Sequence, residues 1–503
     1  METSTRPARP MTASVARGRT RHAQQNGSGK DSCSNGSTTG HRNGVHENGA
    51  KDVLQNGAST THAAPSDDSF LVRLFTRTVA PLFLMATCPN AVMLLWYTAV
   101  RCDGSFEELW SMFSAEGVVG GLVEVWRGID IASPLAVGVI LGYMAWALLL
   151  MVLLPGPRVE GPVTPRGNVP VYTDNGFLCY VVTIVAFVAL TFGLKQYGMS
   201  PTIVYDHFDE FLGTLTVFSH VLCIALHLKG LFYPSSSDSG TTGNLIFDYY
   251  WGTELYPRVF GIDVKVFTNC RFGMTVWPLL VLIFALKSYE ISGFVDSMWV
   301  SVALQMIYFT KFFWWESGYM RTIDIMLDRA GFYICWGCLA FIPGLYASVS
   351  MYLVNHPVRL GPVVSWSILA AGVFAIVINY LADKQKQDVR RTRGNCLVWG
   401  RRPEVIHATY RTADGSVHTS ILLLSGWWGV ARHFHYVPEL ILAFLWTVPA
   451  LLTHVMVYSY FIWLTLLLVH RTFRDDVKCS EKYRHHWSEY RRQVRYRMIP
   501  GIF

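Results

Sequence analysis

Long apolar runs separated by short polar segments dominate residues 79–469. A helix needs about 20 apolar residues to cross the hydrocarbon core of a bilayer. Runs of about that length are Val79–Val100, Ala132–Leu154, Phe177–Leu194, Phe211–Phe232, Phe272–Leu286, Phe294–Phe313, Phe332–Val354 and Val364–Ala382. This pattern predicts an all-α polytopic membrane protein.

The last apolar run, Val437–Val469, is too long for a single crossing. Pro449 and His454 lie near its middle, where a break in the helix would allow the chain to reverse. We therefore expect a two-helix hairpin here. With this hairpin the sequence predicts about ten transmembrane helices.

The two ends of the chain differ in composition from the apolar region. Residues 1–68 are rich in Gly, Asn, Ser and Thr and predict a disordered polar tail, followed by a transmembrane domain at 69–503. Arg73 and Arg77 precede the first run, and the segment after Val469 is also basic. Because basic residues favour the cytoplasmic side, both termini are predicted to be cytoplasmic.

Composition excludes several other classes of protein. The chain is 51% hydrophobic and 15% charged, which is too apolar for an ordinary soluble protein. Its net charge of +7 comes without a recognisable nucleic-acid-binding module, so we expect no nucleic acid. Cys335 and Cys338 form a C-x-x-C inside an apolar run, which predicts small buried helix residues rather than a redox pair. The histidines lack the repeated spacing of membrane di-iron sites, so we expect no metal.

Polar chemistry is concentrated in three segments near the C-terminus. Lys386 and Arg390 would share one face of a helix and bind either a phosphate or lipid headgroups. Residues 426–436, GWWGVARHFHY, combine rings and cations, as a ligand pocket or an interfacial aromatic belt would. Residues 471–490 place carboxylates beside arginines and aromatic rings. The three segments together suit a dinucleotide, although no G-x-G-x-x-G follows a strand, and the glycine cluster at 117–121 predicts a loop.

Several motifs together resemble the sterol reductases of the endoplasmic reticulum. They are LLPGPRVEGPVTPRGNVPVYTDNG (153–176), SPTIVYDHF (200–208), GTELYPR (252–258), TIDIMLDRAGFY (322–333), QKQDVRRT (385–392) and GWWGVARHFHY. The loop at 390–415 and the terminal PGIF are most similar to the subgroup of 7-dehydrocholesterol reductases, rather than to the sterol C14 reductases.

The resemblance implies a ten-span protein of the endoplasmic reticulum membrane that holds NADPH within residues 383–503. It also implies a sterol substrate, a lipid environment and contact with other sterol-biosynthesis enzymes. Carried over by motif position, the cofactor-binding residues are Lys386, Arg390, Leu423, Trp428, His435, Tyr436, Asp475, Cys479, Ser480, Glu481, Lys482, Tyr483 and Tyr490.

This sequence departs from the family pattern at several positions. His435 stands where asparagine is usual, and Pro438 and Glu439 stand where the family has glycine followed by aspartate. Trp315 and Cys338 replace an amide and an acidic residue. A histidine can still donate to a cofactor oxygen, so we expect cofactor binding to be retained, whereas the substrate pocket could be altered.

The activity implied is NADPH-dependent reduction of a sterol ring double bond, C7–C8 of a 5,7-diene such as 7-dehydrocholesterol. An unactivated alkene must be protonated before it accepts hydride, so the enzyme needs an acid beside an apolar pocket. The candidate acids are Glu316, Tyr319, Asp324, Tyr346 and Asp475.

Three other interpretations remain open from the sequence. The chain could be a sterol C14 reductase. It could be an enzyme like the isoprenylcysteine carboxyl methyltransferases, which share an R-H-x-x-Y pattern before a membrane hairpin. It could also be a membrane protein that binds sterol and NADPH without turnover.

Overall fold

A computed structural model describes residues 70–503, so the disordered tail predicted for residues 1–68 lies outside the described part. Within that part, eight helices are long and apolar enough to cross a membrane. They are Phe70–Arg101, Pro134–Leu153, Gly176–Gln196, Phe208–Phe232, Val264–Ser292, Phe332–Asn355, Pro362–Arg391 and Val455–Tyr483. The prediction of an all-α polytopic membrane protein is confirmed.

Two further apolar helices complete the set expected from the sequence. Asp296–Trp314 has 19 residues, and Tyr436–Ala450 is shorter. The second forms the predicted hairpin with Val455–Tyr483, and the chain reverses after Pro449 at Leu451, which has a φ of 58°. Every predicted run therefore lies in a helix, while the count of ten membrane crossings stays a prediction.

The sequence missed the helix Phe106–Trp126. Ser105 caps it, because its side-chain oxygen accepts from the backbone N–H groups of Glu107 and Glu108. The glycine cluster at 117–121, predicted as a loop, lies inside this helix, so that prediction was wrong. Gly117 has a φ of +71° and kinks the helix instead of ending it.

The segment 390–415, expected as a loop, is more ordered than predicted. The helix Pro362–Arg391 continues to Arg391, and a β-hairpin follows, formed by antiparallel strands Val405–Arg411 and Val417–Leu423. Their alternation of apolar and polar residues favours a strand with one buried face. At the turn, Asp414 Oδ1 accepts from the backbone N–H of Ser416 at 3.1 Å.

The remaining elements are short and connect the long helices. The short helices include Ile203–Asp206, Leu245–Trp251, Glu316–Tyr319, Ile323–Met326, Trp427–Val430 and His485–Gln493. The other strands pair as Arg158–Glu160 with Val171–Thr173, and Arg258–Val259 with Ile262–Asp263. In residues 70–503 all three sheets are two-stranded and antiparallel, so no Rossmann sheet is present there.

The core is built around two central helices. The most apolar stretch of Val264–Ser292 is 78% buried, and that of Phe332–Asn355 is 83% buried. In Gly176–Gln196 only 17% of this stretch is buried. Trp277 is 1% exposed and its ring lies 4.8 Å from that of Phe309 and 4.9 Å from that of Tyr346. The outer helices thus turn apolar side chains outward, as helices facing lipid do.

Candidate cofactor and acid site

Lys386 lies on the polar end of the helix Pro362–Arg391, against the GWWG turn. Its ammonium nitrogen is 3.7 Å from the centre of the Trp428 ring, a cation–π contact. The Trp428 ring is fixed by its Nε1, which donates to the carbonyl of Ala382 at 2.7 Å. Among residues 70–503 no carboxylate forms an ion pair with Lys386. Its charge is therefore available to a ligand.

Gly426 allows the turn to approach this helix closely. It has a φ of +65°, and a Cβ at this position would overlap the side chain of Gln385. Gln385 Oε1 instead accepts from the backbone N–H of Trp427 at 2.9 Å. The turn that carries Trp428 is therefore fastened to the helix that carries Lys386.

A row of rings continues from Trp428 along the same segment. The ring centres of Trp428 and His435 are 4.9 Å apart, and those of His435 and Tyr436 are 4.2 Å apart. His433 stacks on Tyr436 at 5.3 Å, with an angle of 7° between the rings. The Nδ1 atom of His435 is buried, and no residue in the described part hydrogen-bonds to it. The row thus offers flat surfaces and one free polar atom.

Both histidines are neutral near pH 7. Burial, opposed by the charge of Asp475, lowers the pKa of His433 to about 4. Burial and the positive charge of Lys386 lower the pKa of His435 well below its usual value. His433 Nε2 lies 3.6 Å from Asp475 Oδ2, which is beyond ordinary hydrogen-bond distance. The Asp475 carboxylate is thus left free to accept from a ligand.

The helix Val455–Tyr483 brings a second set of predicted residues to the same place. Arg471, Asp475, Cys479 and Lys482 follow at helical spacing and share one face. The Lys482 ammonium is 4.1 Å from the centre of the Tyr410 ring, on the hairpin. This face of the helix therefore points its charged groups toward the hairpin and the GWWG turn.

The β-hairpin contacts two more cationic residues, Arg390 and Lys482. Arg390 donates through Nε to the carbonyl of Ile421 at 3.3 Å, which leaves the outer guanidinium nitrogens uncommitted. Burial raises the pKa of Tyr410, and the charge of Arg390 opposes this. Arg390 and Lys482 therefore both act on the same ring.

The other predicted cofactor residues fall into buried and exposed groups. Leu423 and Tyr483 are buried, and Tyr490 donates from its hydroxyl to the carbonyl of Trp428 at 3.4 Å. Ser480 and Glu481 are exposed, and the Ser480 hydroxyl donates to the carbonyl of Val477. The structure therefore brings most of the set together, while these last two lie at its edge.

Both carboxylate oxygens of Glu316, a candidate acid, accept hydrogen bonds. Its two oxygens accept from the two terminal nitrogens of Arg271, and Oε2 also accepts from the backbone N–H of Gly176 at 3.1 Å. Arg271 in turn donates to Asn175 Oδ1 at 2.8 Å. Glu316 and Arg271 are 1% and 2% exposed. This buried pair joins three elements of the fold.

Asp324 and Tyr319, two other candidates, lie together near the cofactor cluster. Asp324 forms an ion pair with Arg471 and is only partly buried. Burial and the negative charge of Asp324 raise the pKa of Tyr319 well above its usual value, and Arg471 lowers it. Arg471 also lowers the pKa of His435, after the larger effect of burial, so its pair with Asp324 lies within electrostatic range of the row of rings.

Tyr346 and Asp475 complete the candidate acids. Tyr346 lies among aromatic rings, 4.9 Å from Trp277 and 4.8 Å from Tyr460 between ring centres. Asp475 belongs to the cofactor cluster described above. The five candidates therefore differ in their surroundings.

Sequence reasoning missed several residues that shape this region. Arg271 gave no signal, because its partner Glu316 is 45 positions away. Asn379 donates to the carbonyl of His435 at 2.9 Å and accepts from Lys311. A lysine and an asparagine inside otherwise apolar helices were the signal that could have identified this pair.

The family departures also have partners in the structure. Tyr308 donates to Glu439 Oε1 at 2.8 Å, and Trp315 donates to Gln387 Oε1 at 2.8 Å. Asn269 Nδ2 lies 3.1 Å from the sulfur of Cys338, which is buried like Cys335. Each departure is thus accommodated by a local contact.

Comparison with known proteins agrees with this geometry. The profile described as "Ergosterol biosynthesis ERG4/ERG24 family" matches residues 123–503. The chain is 52% identical over 425 residues to a 7-dehydrocholesterol reductase of Arabidopsis thaliana, covering 84% of this chain and 96% of that protein. It is 33% identical over 440 residues to a 7-dehydrocholesterol reductase of Xenopus laevis, covering 84% and 91%. It is also 33% identical over 431 residues to a Delta(14)-sterol reductase of Methylotuvimicrobium alcaliphilum, covering 84% and 94%.

The apolar helices and these relatives together define a membrane-embedded reductase. The chain belongs to the ergosterol biosynthesis ERG4/ERG24 family of sterol reductases.

Proposed function

We propose that this protein reduces the C7–C8 double bond of a 5,7-diene sterol with NADPH, by protonation followed by hydride transfer. The observation that carries the proposal is the group of unpaired cations, Lys386, Arg390 and Lys482, beside a row of rings. Within residues 70–503 no carboxylate forms an ion pair with any of the three. The 52% identity to a relative named 7-dehydrocholesterol reductase supports the position of the double bond.

The residues present fit a phosphorylated dinucleotide. Lys386 and Arg390 would meet phosphate oxygens, for which ammonium and guanidinium groups are suited. Trp428 and Tyr436 offer faces to planar rings, and the free Nδ1 of His435 offers a polar contact. Asp475, which lacks a short hydrogen bond, would accept from ribose hydroxyls.

NADPH, when bound, supplies the hydride. The chain must supply the proton, and it must keep water from the carbocation that protonation creates. Asp324 is the candidate acid that its surroundings favour, because it is partly open and its Arg471 partner lies within electrostatic range of the row of rings. Tyr319, which feels the charge of Asp324, would pass or orient the proton. Glu316 is better suited to hold the fold, since both its oxygens are occupied.

The cellular setting is part of the same proposal. Arg73, Arg77 and the basic C-terminal segment favour a cytoplasmic position for both termini. A sterol substrate and its lipid surroundings suit the endoplasmic reticulum membrane, where other sterol-biosynthesis enzymes would be neighbours.

The assignment of the acid can be tested with paired substitutions. We expect Asp324→Asn to lower kcat by about 100-fold or more while NADPH still binds, because general-acid catalysis contributes roughly that much. We expect Glu316→Gln to lower the thermal stability of the purified protein, with the remaining folded enzyme still able to protonate sterol. Full turnover by Asp324→Asn would remove Asp324 from the mechanism.

Binding measurements separate this proposal from the methyltransferase interpretation. Titration of the purified protein with NADPH and with S-adenosylmethionine should show binding of NADPH alone. Binding of S-adenosylmethionine alone would contradict a reductase.

A further inference from the structure

A second group of arginines lies outside the proposed dinucleotide cluster. Arg432, Arg491, Arg492 and Arg495 line a pocket of about 350 Å³, together with Ser488. Three of these arginines come from the end of the chain, at and after the helix His485–Gln493. The fourth, Arg432, comes from the segment 426–436. Two separate parts of the sequence thus place four guanidinium groups around one space.

Arg432 is the buried, hydrogen-bonded residue of this pocket. It is 6% exposed, and its Nη1 donates to the carbonyls of Val494 at 2.7 Å and Arg495 at 3.0 Å. Its Nε is also buried, but it has no hydrogen-bond partner in residues 70–503. A buried donor without a partner is destabilising. The bonds to Val494 and Arg495 hold Arg432 in place at the wall of the pocket.

The charges around the pocket are strongly unbalanced. Asp476 forms ion pairs beside it, at 3.7 Å from Arg491 and 3.3 Å from Arg497. Asp476 also accepts from Trp487 Nε1 at 2.9 Å, so its charge is shared. Burial lowers the pKa of Arg432, Asp476 raises it, and the charges of Arg491 and Arg497 lower it further. The arginines therefore repel one another more than a single carboxylate can offset.

We propose that this arginine pocket binds a phosphate group. Guanidinium groups present parallel N–H donors that match the oxygens of a phosphate, and several arginines around one space are the usual arrangement for recognising it. Two sources carry this chemistry here: a phosphate of a nucleotide, or the phosphate of an anionic lipid headgroup. The part of the proposal that concerns the nucleotide rests on the proposed function, whereas the phosphate site itself does not.

The test uses the full-length protein in phosphatidylcholine nanodiscs, titrated with inorganic phosphate. The pocket variant is Arg491→Gln with Arg495→Gln, which spares Arg432 and its main-chain contacts. The matched control is Arg401→Gln with Arg402→Gln, which removes the same charge from two exposed arginines elsewhere. Lys386→Gln reports on phosphate bound in the dinucleotide cluster. Equal melting temperatures of all variants show that each is folded.

We expect the pocket variant to weaken phosphate binding about tenfold or more, since it removes two charge-assisted contacts. The control and Lys386→Gln should retain this binding. Equal phosphate affinity in wild type, pocket variant and control would overturn the proposal, as would no binding by the wild type.

Two further arms identify the source of the phosphate. A higher KM for NADPH in the pocket variant, with an unchanged KM for NADH, would support the 2′-phosphate of the nucleotide. Loss of enhanced binding to nanodiscs that contain phosphatidylinositol 4-phosphate would support a lipid headgroup. If the protein proves inactive as a reductase, the phosphate titration and the lipid arm still decide whether the site exists.

Discussion

At the scale of single residues, Lys386 has surroundings that call for an anionic ligand. A lysine ammonium beside an aromatic ring gains some cation–π attraction, but it remains a charge without a carboxylate partner in residues 70–503. His435, whose ring also contacts Trp428, adds a buried nitrogen that has no hydrogen-bond partner in the described part of the chain. A bound dinucleotide would give Lys386 an anionic partner and His435 a hydrogen-bond partner.

Replacement of Lys386 by glutamine should therefore weaken NADPH binding. We expect the KM for NADPH to rise about 10- to 100-fold, because one charge-assisted contact to phosphate is lost. Lys384→Gln is the matched control, since Lys384 is exposed and pairs only with Asp388 on the same helix. An equal rise in the KM for NADPH in both variants would mean that the loss of positive charge weakens binding, and not the loss of a specific contact.

His433 should make the stability of the protein depend on pH. Its folded-state pKa of about 4 is below the ordinary value of 6.5, so the unfolded chain binds a proton that the folded chain does not. Stability is therefore retained above about pH 6.5 and falls as the pH drops toward 4, by on the order of 2 kcal/mol at pH 5. Melting temperatures measured from pH 7.5 to pH 5 (about two and a half pH units) should show this decline.

The matched variants for this measurement are His433→Gln and His485→Gln, the second at an exposed position. The decline should be smaller in His433→Gln, which has no imidazole to protonate at this site. If both variants decline as steeply as the wild type, His433 does not control the pH dependence.

At the scale of elements, the β-hairpin is the part of the site that sequence patterns concealed. Its strands carry polar residues on the outer face, so the mean hydropathy of this segment indicates only a polar loop. Its inner face buries Ile406, Ala408 and Leu422 against Tyr483, Trp487 and Tyr490. The hairpin thus joins the end of one long helix to the terminal segment, and it places Tyr410 beside Lys482.

A charge on the inner face of the hairpin should disturb cofactor binding specifically. Ala408 is 0% exposed, so Ala408→Asp would bury a carboxylate at a cost of several kcal/mol. We expect the KM for NADPH to rise tenfold or more in steady-state assays, with the membrane core still folded. Thr409→Asp, on the exposed face, should behave as wild type. Normal NADPH affinity in Ala408→Asp would show that the hairpin does not shape the pocket.

At the scale of the whole molecule, helix positions were predictable because membrane spans need long apolar runs. Even the reversal after Pro449 followed from the length of one run. The helix Phe106–Trp126 was missed because four acidic residues interrupt it and Gly117 kinks it. Pairs such as Arg271 with Glu316 were also unpredictable, since a contact between distant positions leaves no local pattern.

The residues of the candidate site were predictable, but the roles of the candidate acids were not. Motif similarity selected residues that the fold does bring together around Trp428, including Lys386, His435 and Tyr490. It gave no means to rank the five acids, because burial and ion pairing decide their roles. The occupied carboxylate of Glu316 and the more open one of Asp324 differ only in three dimensions.

The most direct test of the account is turnover of sterol by the purified protein. The protein in lipid nanodiscs should convert 7-dehydrocholesterol to the sterol lacking the C7–C8 double bond, with one NADPH oxidised for each molecule reduced. A Δ14-unsaturated sterol in a parallel reaction should remain unchanged. Persistence of 7-dehydrocholesterol with NADPH bound, or reduction of the Δ14 sterol alone, would contradict it.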